Sequence, residues 1–523
     1  MSEKNIKKLP LGITDFKEII ESGCVYVDKT ADIYQMIFGG KYYFISRPRR
    51  FGKSLLVSTL AELFAGNKKL FNNLWIVHSN YDWQEYPVIK IDFSGIDYST
   101  SERLEKSLIQ SLRTTAIQYN VALANTDSPK DMFSALIDQL AKKNKVVLLV
   151  DEYDKPIIDN IHDVQQAEKQ RFILQNFYST IKAKDAVLRF VLLTGVSKFA
   201  KTSVFSGINN LTDISMDERY ATMFGYTQQE IRDYLGDYIS RLSKKQKTDY
   251  EETMRNLTNY YDGYQFVENA ERVFNPYSVL RCCDEGKYKN YWFTTGTPTF
   301  LIALLQKNNY DLETFTDPVL NENSLGSFEI DAIELSALLF QTGYLTIKAY
   351  DPITNNYTLG IPNREVNSGL TINLVDAFTR LPADKSLQYA RKITHAFIKS
   401  DMIELQTVLQ EFFNRMPYTV HVTDESKLQF VLYAIFALIG VAVDPEVTTS
   451  IGRADLVVTF PKLVYVIELK FNKTAQEALA QIQDKRYYEK YENLGKKITL
   501  LGINFDAASK TVMLESRLIH ESV

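Results

Sequence analysis

The sequence predicts an α/β protein with a parallel sheet in its N-terminal part, a helical middle region and a smaller α/β domain at its C-terminus. Residues 41–195 alternate short apolar runs with amphipathic helical segments, the pattern of parallel strands joined by crossover helices. From about residue 225 the pattern becomes mainly helical, and after about residue 405 it changes to helix, two adjacent strands, helix and strand. The predicted domains are therefore 1–224, 225–400 and 401–523.

Four apolar runs are predicted to form the parallel sheet, because each is short and is followed by polar or turn residues. They lie at 42–46, 88–93, 146–150 and 188–194. The crossover helices are predicted from apolar residues at helical spacing, at about 53–65, 101–120, 129–143 and 164–184. In the middle region, Thr227 followed by Glu230 predicts a capping box at a helix start.

Composition and charge narrow the function classes. The 523 residues carry a formal net charge of −4, so any site for a polyanion must be a local patch. The three cysteines, Cys24, Cys282 and Cys283, lack the spacing of metal ligands and favour a reducing compartment. The N-terminus lacks the pattern of a signal peptide, and no apolar run is long enough to cross a membrane. We expect a soluble cytoplasmic protein.

Residues 47–54 carry the candidate nucleotide site, since a predicted strand runs directly into Gly52, Lys53 and Ser54. In a phosphate-binding loop of this kind, backbone N–H groups and a helix N-terminus bind the phosphates, Lys53 reaches the β and γ oxygens, and the Ser54 hydroxyl binds Mg²⁺. The usual pattern begins with glycine, and Arg47 stands at that position. The motif predicts ATP and Mg²⁺ as cofactors; an ordinary strand-to-helix turn is the alternative.

An acidic pair, Asp151 and Glu152, ends the third predicted strand. In phosphate-loop enzymes the first carboxylate holds Mg²⁺, usually through water, and the second polarises the attacking water. Asp151 is therefore a candidate metal and cofactor ligand, and Glu152 a candidate catalytic base. The strand at 88–93, interposed between loop and acidic pair, and the additional Glu152 favour an ATPase in which a glutamate activates water. A solvated strand end is the alternative.

Three further residues are candidates for contact with the nucleotide. Thr194 ends the fourth predicted strand, beside the acidic strand, and is a candidate sensor of the γ-phosphate. Arg49 and Arg50 are candidates to stabilise transition-state charge, in the same subunit or in a neighbouring one. For either arginine, a solvated surface position is the alternative.

A predicted hairpin near the C-terminus carries the second candidate site. A turn centred between Pro461 and Lys462 puts Asp455 opposite Glu468, and strand alternation puts Lys470 on the same face as Glu468. This set suits phosphodiester hydrolysis: the two carboxylates would bind one or two Mg²⁺, and the lysine would stabilise charge or position water. A salt-bridged hairpin without catalytic function is the alternative.

Together these motifs resemble those of a family of bacterial AAA-ATPase-like proteins. The segments that carry the resemblance are 9–16, 26–30, 47–54, 151–154 and 261–264. In that family the loop usually has the Arg-Pro-Arg-Arg form, which implies that Arg47 is a normal part of the cofactor site. Members commonly end in a module of the PD-(D/E)XK nuclease superfamily, which implies a restriction-endonuclease-like fold for the C-terminal domain.

The resemblance also implies roles for residues beside the hairpin. Glu425, at the start of the preceding helix, would add a metal ligand or a water contact, although the family's following Tyr-His is replaced in this chain. Gln481, Lys485 and Tyr487 match a family pattern on the next helix. Gln481 and Lys485 are four residues apart and share a helix face suited to the phosphates of a nucleic acid.

Three functions stay open at this point. The leading one is an ATP-dependent or ATP-gated metal nuclease acting on DNA or RNA. The second is a nucleic-acid-binding switch whose nuclease fold does not cut, and the third is a signalling or scaffold protein whose nucleotide stabilises a homo-oligomer. Aromatic clusters at 261–266, 274–277 and 291–293 are either binding surfaces or core packing around turns, of which packing is favoured.

Overall fold

The computed structural model describes most of the chain and divides it into two compact units. The described residues are 6–161, 163–198, 204–205, 208, 210–293, 318–326, 334–379, 383–416, 422, 424–437, 442–448 and 453–520. The first unit comprises 1–295 and 319–365, and the second comprises 296–318 and 366–523. The division into domains at 224 and 400 stays a prediction.

The first unit contains the predicted parallel sheet, with a fifth strand that the sequence did not predict. Its strands are β1 Tyr42–Ser46, β2 Val88–Asp92, β3 Val146–Asp151, β4 Leu188–Gly195 and β5 Thr212–Asp213. They lie in the order β2-β3-β4-β1-β5, and each neighbouring pair is parallel. The strand between β1 and β3 is thus β4, whereas β2, which separates them in sequence, lies at the end of the sheet. Crossover helices allow this, because strands consecutive in sequence need not be neighbours in the sheet.

The predicted crossover helices are present and end one or two residues before their predicted ends. The helices that begin in the first unit are Phe16–Glu21, Thr30–Gly39, Lys53–Phe64, Ser101–Gln118, Pro129–Ala141, Lys155–Ile158, Val164–Ala183, Gln228–Gln246, Tyr250–Tyr261, Pro276–Glu285, Glu322–Gly326, Leu335–Thr342 and Arg364–Thr379. Side-chain caps fix several starts, including the predicted capping box, in which Thr227 and Glu230 bond each other's backbone N–H groups at 3.2 and 2.8 Å.

The parallel strands place the candidate nucleotide site at the end of the sheet where their carboxyl ends lie. Strand β3 is buried along its whole length, as expected for a central parallel strand covered by helices on both faces. Because β1, β3 and β4 are parallel, their carboxyl ends lie at the same edge, where ligands bind in open α/β sheets. The phosphate loop, Asp151 and Thr194 therefore share this edge.

The rest of the first unit adds a small sheet that the sequence did not predict. Its strands, β6 Val319–Asn321, β7 Thr346–Asp351 and β8 Asn356–Gly360, are antiparallel in the order β6-β8-β7.

The aromatic clusters pack in the interior: the Phe51 ring of the phosphate loop lies 4.8 Å from that of Tyr264 and 5.5 Å from that of Phe266, and all three are buried.

A fully buried carboxylate, Glu365, joins two parts of this helical region. Its Oε1 accepts a hydrogen bond from the backbone N–H of Trp292 at 2.8 Å, and its Oε2 accepts one from the Ser278 hydroxyl at 2.7 Å. Burial disfavours the charged form and raises the pKa of Glu365 to about 7, although both donors act in the opposite direction.

Replacing Glu365 by Gln is expected to change how stability depends on pH. Between the ordinary pKa of 4.5 and the folded pKa of about 7, the folded chain holds a proton that the unfolded chain has released. The free energy of unfolding therefore falls as the pH rises through this window, by about 3 kcal/mol in total, and this dependence is flat above it. Urea unfolding from pH 5 to 8 should show wild-type stability falling relative to the Glu365→Gln variant. The exposed control Glu271→Gln should differ from wild type by a constant amount across this range. A constant difference between wild type and Glu365→Gln as well would contradict the prediction.

The second unit contains a mixed five-stranded sheet. Its strands are β9 Ala442–Thr448, β10 Arg453–Thr459, β11 Leu463–Phe471, β12 Lys497–Asp506 and β13 Thr511–His520. They lie in the order β13-β12-β11-β10-β9; β11 and β12 are parallel and the other pairs antiparallel. Its other helices are Ala383–Lys399, Met402–Arg415, Glu425–Ala437 and Ala475–Asp484. Among the described helices of the whole chain, none is long and apolar enough to cross a membrane.

Candidate active sites

The backbone of the phosphate loop has the form of an anion-binding turn. Arg50 and Gly52 both adopt left-handed conformations, with φ of 71° and 93°, immediately before the helix Lys53–Phe64. Left-handed residues in such a loop turn successive backbone N–H groups toward one concavity, which lies next to the positive, N-terminal end of the helix. Arg50 adopts a conformation that residues other than glycine rarely have, a feature found at ligand-binding loops. Ser54 is the second residue of the helix and is half-buried.

Lys53 lies across the loop. Its Nζ donates hydrogen bonds to the carbonyl oxygens of Arg47 at 2.7 Å and Pro48 at 2.9 Å, and the side chain is buried. Burial lowers the pKa of Lys53, and the negative charges of Asp151 and Glu152 oppose that shift. The loop carbonyls thus hold the Lys53 ammonium group within the electrostatic influence of Asp151 and Glu152.

The structure brings Thr194 and Asp151 together, in agreement with the predicted neighbourhood of their strands. The Thr194 hydroxyl donates to Asp151 Oδ1 at 2.5 Å, and both side chains are buried. Strand β4 separates β1 from β3, so the loop and the acidic strand lie about 10 Å apart at two strand spacings. Glu152 adopts a left-handed conformation, and its Oε2 lies 3.5 Å from Lys155 Nζ.

Asp154 belongs to the motif at 151–154, but no role in this site was predicted for it from the sequence. It is buried and accepts hydrogen bonds from Val196 N at 3.0 Å and from both Ser197 N and Ser197 Oγ at 2.7 Å. Burial raises its pKa, and the Ser197 hydrogen bonds oppose the shift. A Cβ atom at Gly195 would lie 2.7 Å from Asp154 Oδ1, so glycine permits this contact. Asp154 therefore fixes the segment that follows Thr194.

Arg47 packs into the interior. Its Nη1 donates to the carbonyl oxygens of Ser46 at 2.9 Å and Ser215 at 2.6 Å, and the guanidinium lies 4.5 Å from the centre of the Phe266 ring. Only 2% of the side chain is exposed, and burial lowers the pKa of Arg47 to about 9. It also lines a cavity of about 30 Å³, which has room for about two water molecules. Direct contact between Arg47 and the nucleotide stays a prediction.

The other two loop arginines have partners on the protein surface. Arg49 Nη2 lies 3.6 Å from Asp159 Oδ1, and the Arg50 guanidinium lies 4.8 Å from the centre of the Tyr277 ring. The Arg49 side chain is 45% exposed, so its ion pair contributes little to stability. Stabilisation of transition-state charge by either arginine stays a prediction.

In the second unit, the β10–β11 hairpin has the predicted register. The pairs run from Thr459 with Val464 to Leu456 with Ile467, so the next residues along the two strands are Asp455 and Glu468. Lys470 Nζ donates to Glu468 Oε1 at 3.2 Å. Asp455 Oδ2 accepts a hydrogen bond from Leu469 N at 2.7 Å. Lys470 Nζ also lies 3.7 Å from Oε1 of Glu425, which stands at the start of the helix Glu425–Ala437.

Burial and like charge perturb this cluster. Glu468 is 2% exposed, and burial, reinforced by the charge of Asp455, raises its pKa to about 7 against the opposing effect of Lys470. Burial disfavours the charged form of Lys470, but Glu468 and Glu425 outweigh it, and the pKa of Lys470 is raised. The ammonium group therefore stays protonated at neutral pH.

The carboxylates fit a hard divalent cation. Glu468 Oε2 is buried and has no hydrogen-bond partner, and the Asp455 carboxylate stands on the facing strand. Mg²⁺ takes oxygen ligands and is usually held by one or two carboxylates, with water and substrate phosphates completing its shell. Within the described ranges, no group of three or more His, Cys, Asp or Glu could hold a metal ion. Two carboxylates are thus what the site offers, and Glu425 pairs with Lys470.

Two glutamines on the flanking helices contact the hairpin, Gln481 at the Glu468 carboxylate and Gln429 at the Asp455 backbone. Gln481 Nε2 donates to Glu468 Oε1 and lies 3.5 Å from the hydroxyl of the buried Tyr487. Gln429 Nε2 donates to the Asp455 carbonyl at 3.0 Å; the sequence did not single out this residue. Its position four residues after Glu425 is the signal that could have identified it, since residues four apart share a helix face.

Helix packing sets the position of Gln481. In the β11–β12 register Gly502 lies beside Glu468, and a Cβ atom at Gly502 would lie 2.2 Å from the Ala475 carbonyl oxygen. Glycine therefore lets the helix Ala475–Asp484 approach the sheet over Glu468. Lys485 follows the end of this helix and is exposed, so its phosphate contact stays a prediction.

The fold and the two sites define a class: a phosphate-loop ATPase-like protein joined to a nuclease-like module. Two family models match the chain, a predicted AAA-ATPase over residues 10–205 and the PD-(D/E)XK nuclease superfamily over residues 423–515. The chain is also similar to the "Uncharacterized protein in vnfD 5'region" of Azotobacter chroococcum mcd 1, with 38% identity over 520 residues that cover 97% of this chain and 98% of that protein. The chain belongs to the AAA-ATPase-like family with a C-terminal PD-(D/E)XK module, as the motifs predicted.

Proposed function

We propose that the protein binds and hydrolyses ATP at the loop 47–54 and cleaves phosphodiester bonds of DNA or RNA at the hairpin of the second unit. The observation that carries the nuclease proposal is the buried, unpartnered Glu468 Oε2 facing the strand of Asp455, with Lys470 bonded to the other Glu468 oxygen. A metal-binding carboxylate needs one such free oxygen. The three free cysteines fit the reducing cytoplasm as the compartment.

At the hairpin each side chain has a defined task. Asp455 and Glu468 would hold Mg²⁺, which when bound supplies a water of lowered pKa and charge stabilisation at the phosphate. Lys470, protonated at neutral pH, would stabilise negative charge that develops on the phosphate oxygens. Gln481 orients Glu468 by donating to Oε1, which leaves Oε2 for the cation. Leu469 N–H fixes the Asp455 carboxylate in the same way.

At the phosphate loop the proposed tasks follow from position. The loop N–H groups and Lys53 would bind the phosphates, while Ser54 and Asp151 would hold the Mg²⁺ that neutralises part of their charge. Thr194 donates to Asp151 and so keeps one carboxylate oxygen oriented. Glu152 would accept the proton of the attacking water.

A nucleic-acid-binding switch without cleavage is the second candidate. One observation favours it: Lys470 and Gln481 both donate to Glu468 Oε1, so this oxygen is satisfied by the protein itself. Such a site could retain a phosphate-binding lysine while holding metal too weakly for catalysis.

A cleavage assay decides between the two functions. Purified protein is incubated with single- and double-stranded DNA and RNA, with Mg²⁺ or Mn²⁺, and with or without ATP, and products are resolved on denaturing gels. We expect metal-dependent products that disappear in EDTA. Binding of a substrate in mobility shifts without products under any condition would replace the nuclease proposal by the switch.

A further inference from the structure

Three residues distant in sequence contact the outer face of the phosphate loop. The indole Nε1 of Trp292 donates a hydrogen bond to the Arg49 carbonyl oxygen at 3.1 Å. The Tyr277 ring lies 4.8 Å from the Arg50 guanidinium. At Gly343, a Cβ atom would lie 2.7 Å from two side-chain carbons of Pro48, so glycine permits close approach. We call Tyr277, Trp292 and Gly343 the outer clamp; none belongs to the loop motif or to the acidic pair.

The hydrogen bond from Trp292 fixes one peptide plane of the loop. In a planar trans peptide the C=O and the following N–H point in opposite directions. A donor held on the Arg49 carbonyl therefore turns the N–H of Arg50 away from the indole. Arg50 is also the residue whose φ of 71° produces the turn of the loop. Phosphate binding by such a loop depends on the direction of its N–H groups.

Trp292 is itself held firmly. Its backbone N–H donates to Glu365 Oε1 at 2.8 Å, and its ring packs at 5.1 and 5.2 Å from the rings of Phe293 and Tyr344. The same Glu365 carboxylate accepts a hydrogen bond from Ser278, the residue after Tyr277. One buried carboxylate thus bonds Trp292 directly and also bonds Ser278, the residue next to Tyr277.

We propose that Trp292 is a positioning residue of the nucleotide site: its indole N–H holds the Arg49–Arg50 peptide in the orientation that phosphate binding requires, and its surroundings change when nucleotide fills the loop. This inference rests on the proposed binding of ATP at the loop. It gives the arginine-rich form of the loop a structural reason, because the residues in place of the usual glycine-rich stretch are contacted from outside. The sequence could not reveal it, since Trp292 and Arg49 are 243 residues apart.

The Trp292→Phe variant tests the hydrogen bond, with Trp75→Phe as its matched control. Phenylalanine keeps an aromatic ring beside Phe293 and Tyr344 but has no N–H to donate, whereas Trp75 is 47% exposed. Calorimetric titration is expected to show ATP binding weakened about 2- to 12-fold in Trp292→Phe, the range for one hydrogen bond, and unchanged in Trp75→Phe. Thermal unfolding of both variants separates this effect from loss of the fold.

Tryptophan fluorescence supplies a readout that a purely structural role would not move. The chain has three tryptophans, so a variant with Trp75→Phe and Trp83→Phe retains Trp292 alone. Its emission is expected to shift on addition of ATP, and the shift should disappear when Lys53→Ala is added. This measurement stands even if Trp292→Phe fails to fold.

The outcomes separate this inference from the function on which it rests. Wild-type protein that binds no ATP overturns both the proposed ATPase and the positioning role. Wild-type binding together with unchanged affinity in a folded Trp292→Phe overturns the positioning role alone. An emission of Trp292 that does not respond to bound ATP likewise overturns the proposed change in its surroundings.

Discussion

Replacing Glu468 by Gln is expected to reduce metal-dependent cleavage by about 10²- to 10³-fold or more, while ATP hydrolysis keeps its wild-type rate. Glutamine has nearly the same volume and can still accept the hydrogen bonds of Lys470 and Gln481, so the hairpin should fold normally. It lacks the negative charge that a divalent cation requires at Oε2. Product formation on the substrate found in the cleavage assay measures the first effect, and phosphate release measures the second.

A matched control sharpens this result. Glu492 lies in the same unit and is exposed, and Glu492→Gln makes the same chemical change away from the hairpin. The control should cleave at the wild-type rate. Equal cleavage by wild type and Glu468→Gln would show that the products come from another site or from a contaminating nuclease. Loss of ATP hydrolysis in Glu468→Gln would contradict the assignment of the two activities to separate sites.

At this site the sequence could predict contacts that a local turn determines, but not contacts between elements distant in sequence. The register of Asp455 against Glu468 was predictable because a two-residue turn at Pro461 and Lys462 sets every later pair of the hairpin. Gln429 lies 26 residues from its partner Asp455. No turn relates that pair, so only the packing of the helix Glu425–Ala437 on the sheet brings them together.

The N-terminal sheet shows the same difference between local and long-range structure. Four of its five strands and the crossover helices were predicted nearly to their ends, because apolar periodicity and capping are local properties of the chain, whereas the two-residue β5 was not predicted. The insertion of β4 between β1 and β3 was not predicted as such, since strand order depends on where crossover helices pack rather than on any single segment. Asp154 was given no role although β3 and β4 were predicted to be neighbours, because its partners Val196 and Ser197, 42 and 43 residues away, lie in the segment after β4, whose path the strand pattern does not determine.

Replacing Lys53 by Ala is expected to reduce ATP hydrolysis by about 10²- to 10³-fold and to weaken ATP binding. The variant removes the cation that the loop carbonyls of Arg47 and Pro48 hold beside the acidic strand. Those carbonyls then lose a charged donor in a buried place, so part of the effect comes from disorder of the loop. Phosphate release and calorimetric titration measure the two effects. The exposed Lys69 provides the control Lys69→Ala, which should leave both unchanged.

Cleavage by the same Lys53→Ala variant tests whether ATP gates the nuclease. If nucleotide binding controls the hairpin, cleavage by the variant should no longer respond to ATP and should equal that of wild type without nucleotide. If the two sites work independently, wild type and variant cleave at the same rate under every nucleotide condition, and the hypothesis of an ATP-gated nuclease fails while both activities stand. Hydrolysis of ATP by Lys53→Ala at the wild-type rate would instead contradict the proposed role of the phosphate loop, because the buried lysine would then not be needed to neutralise the charge of the phosphates.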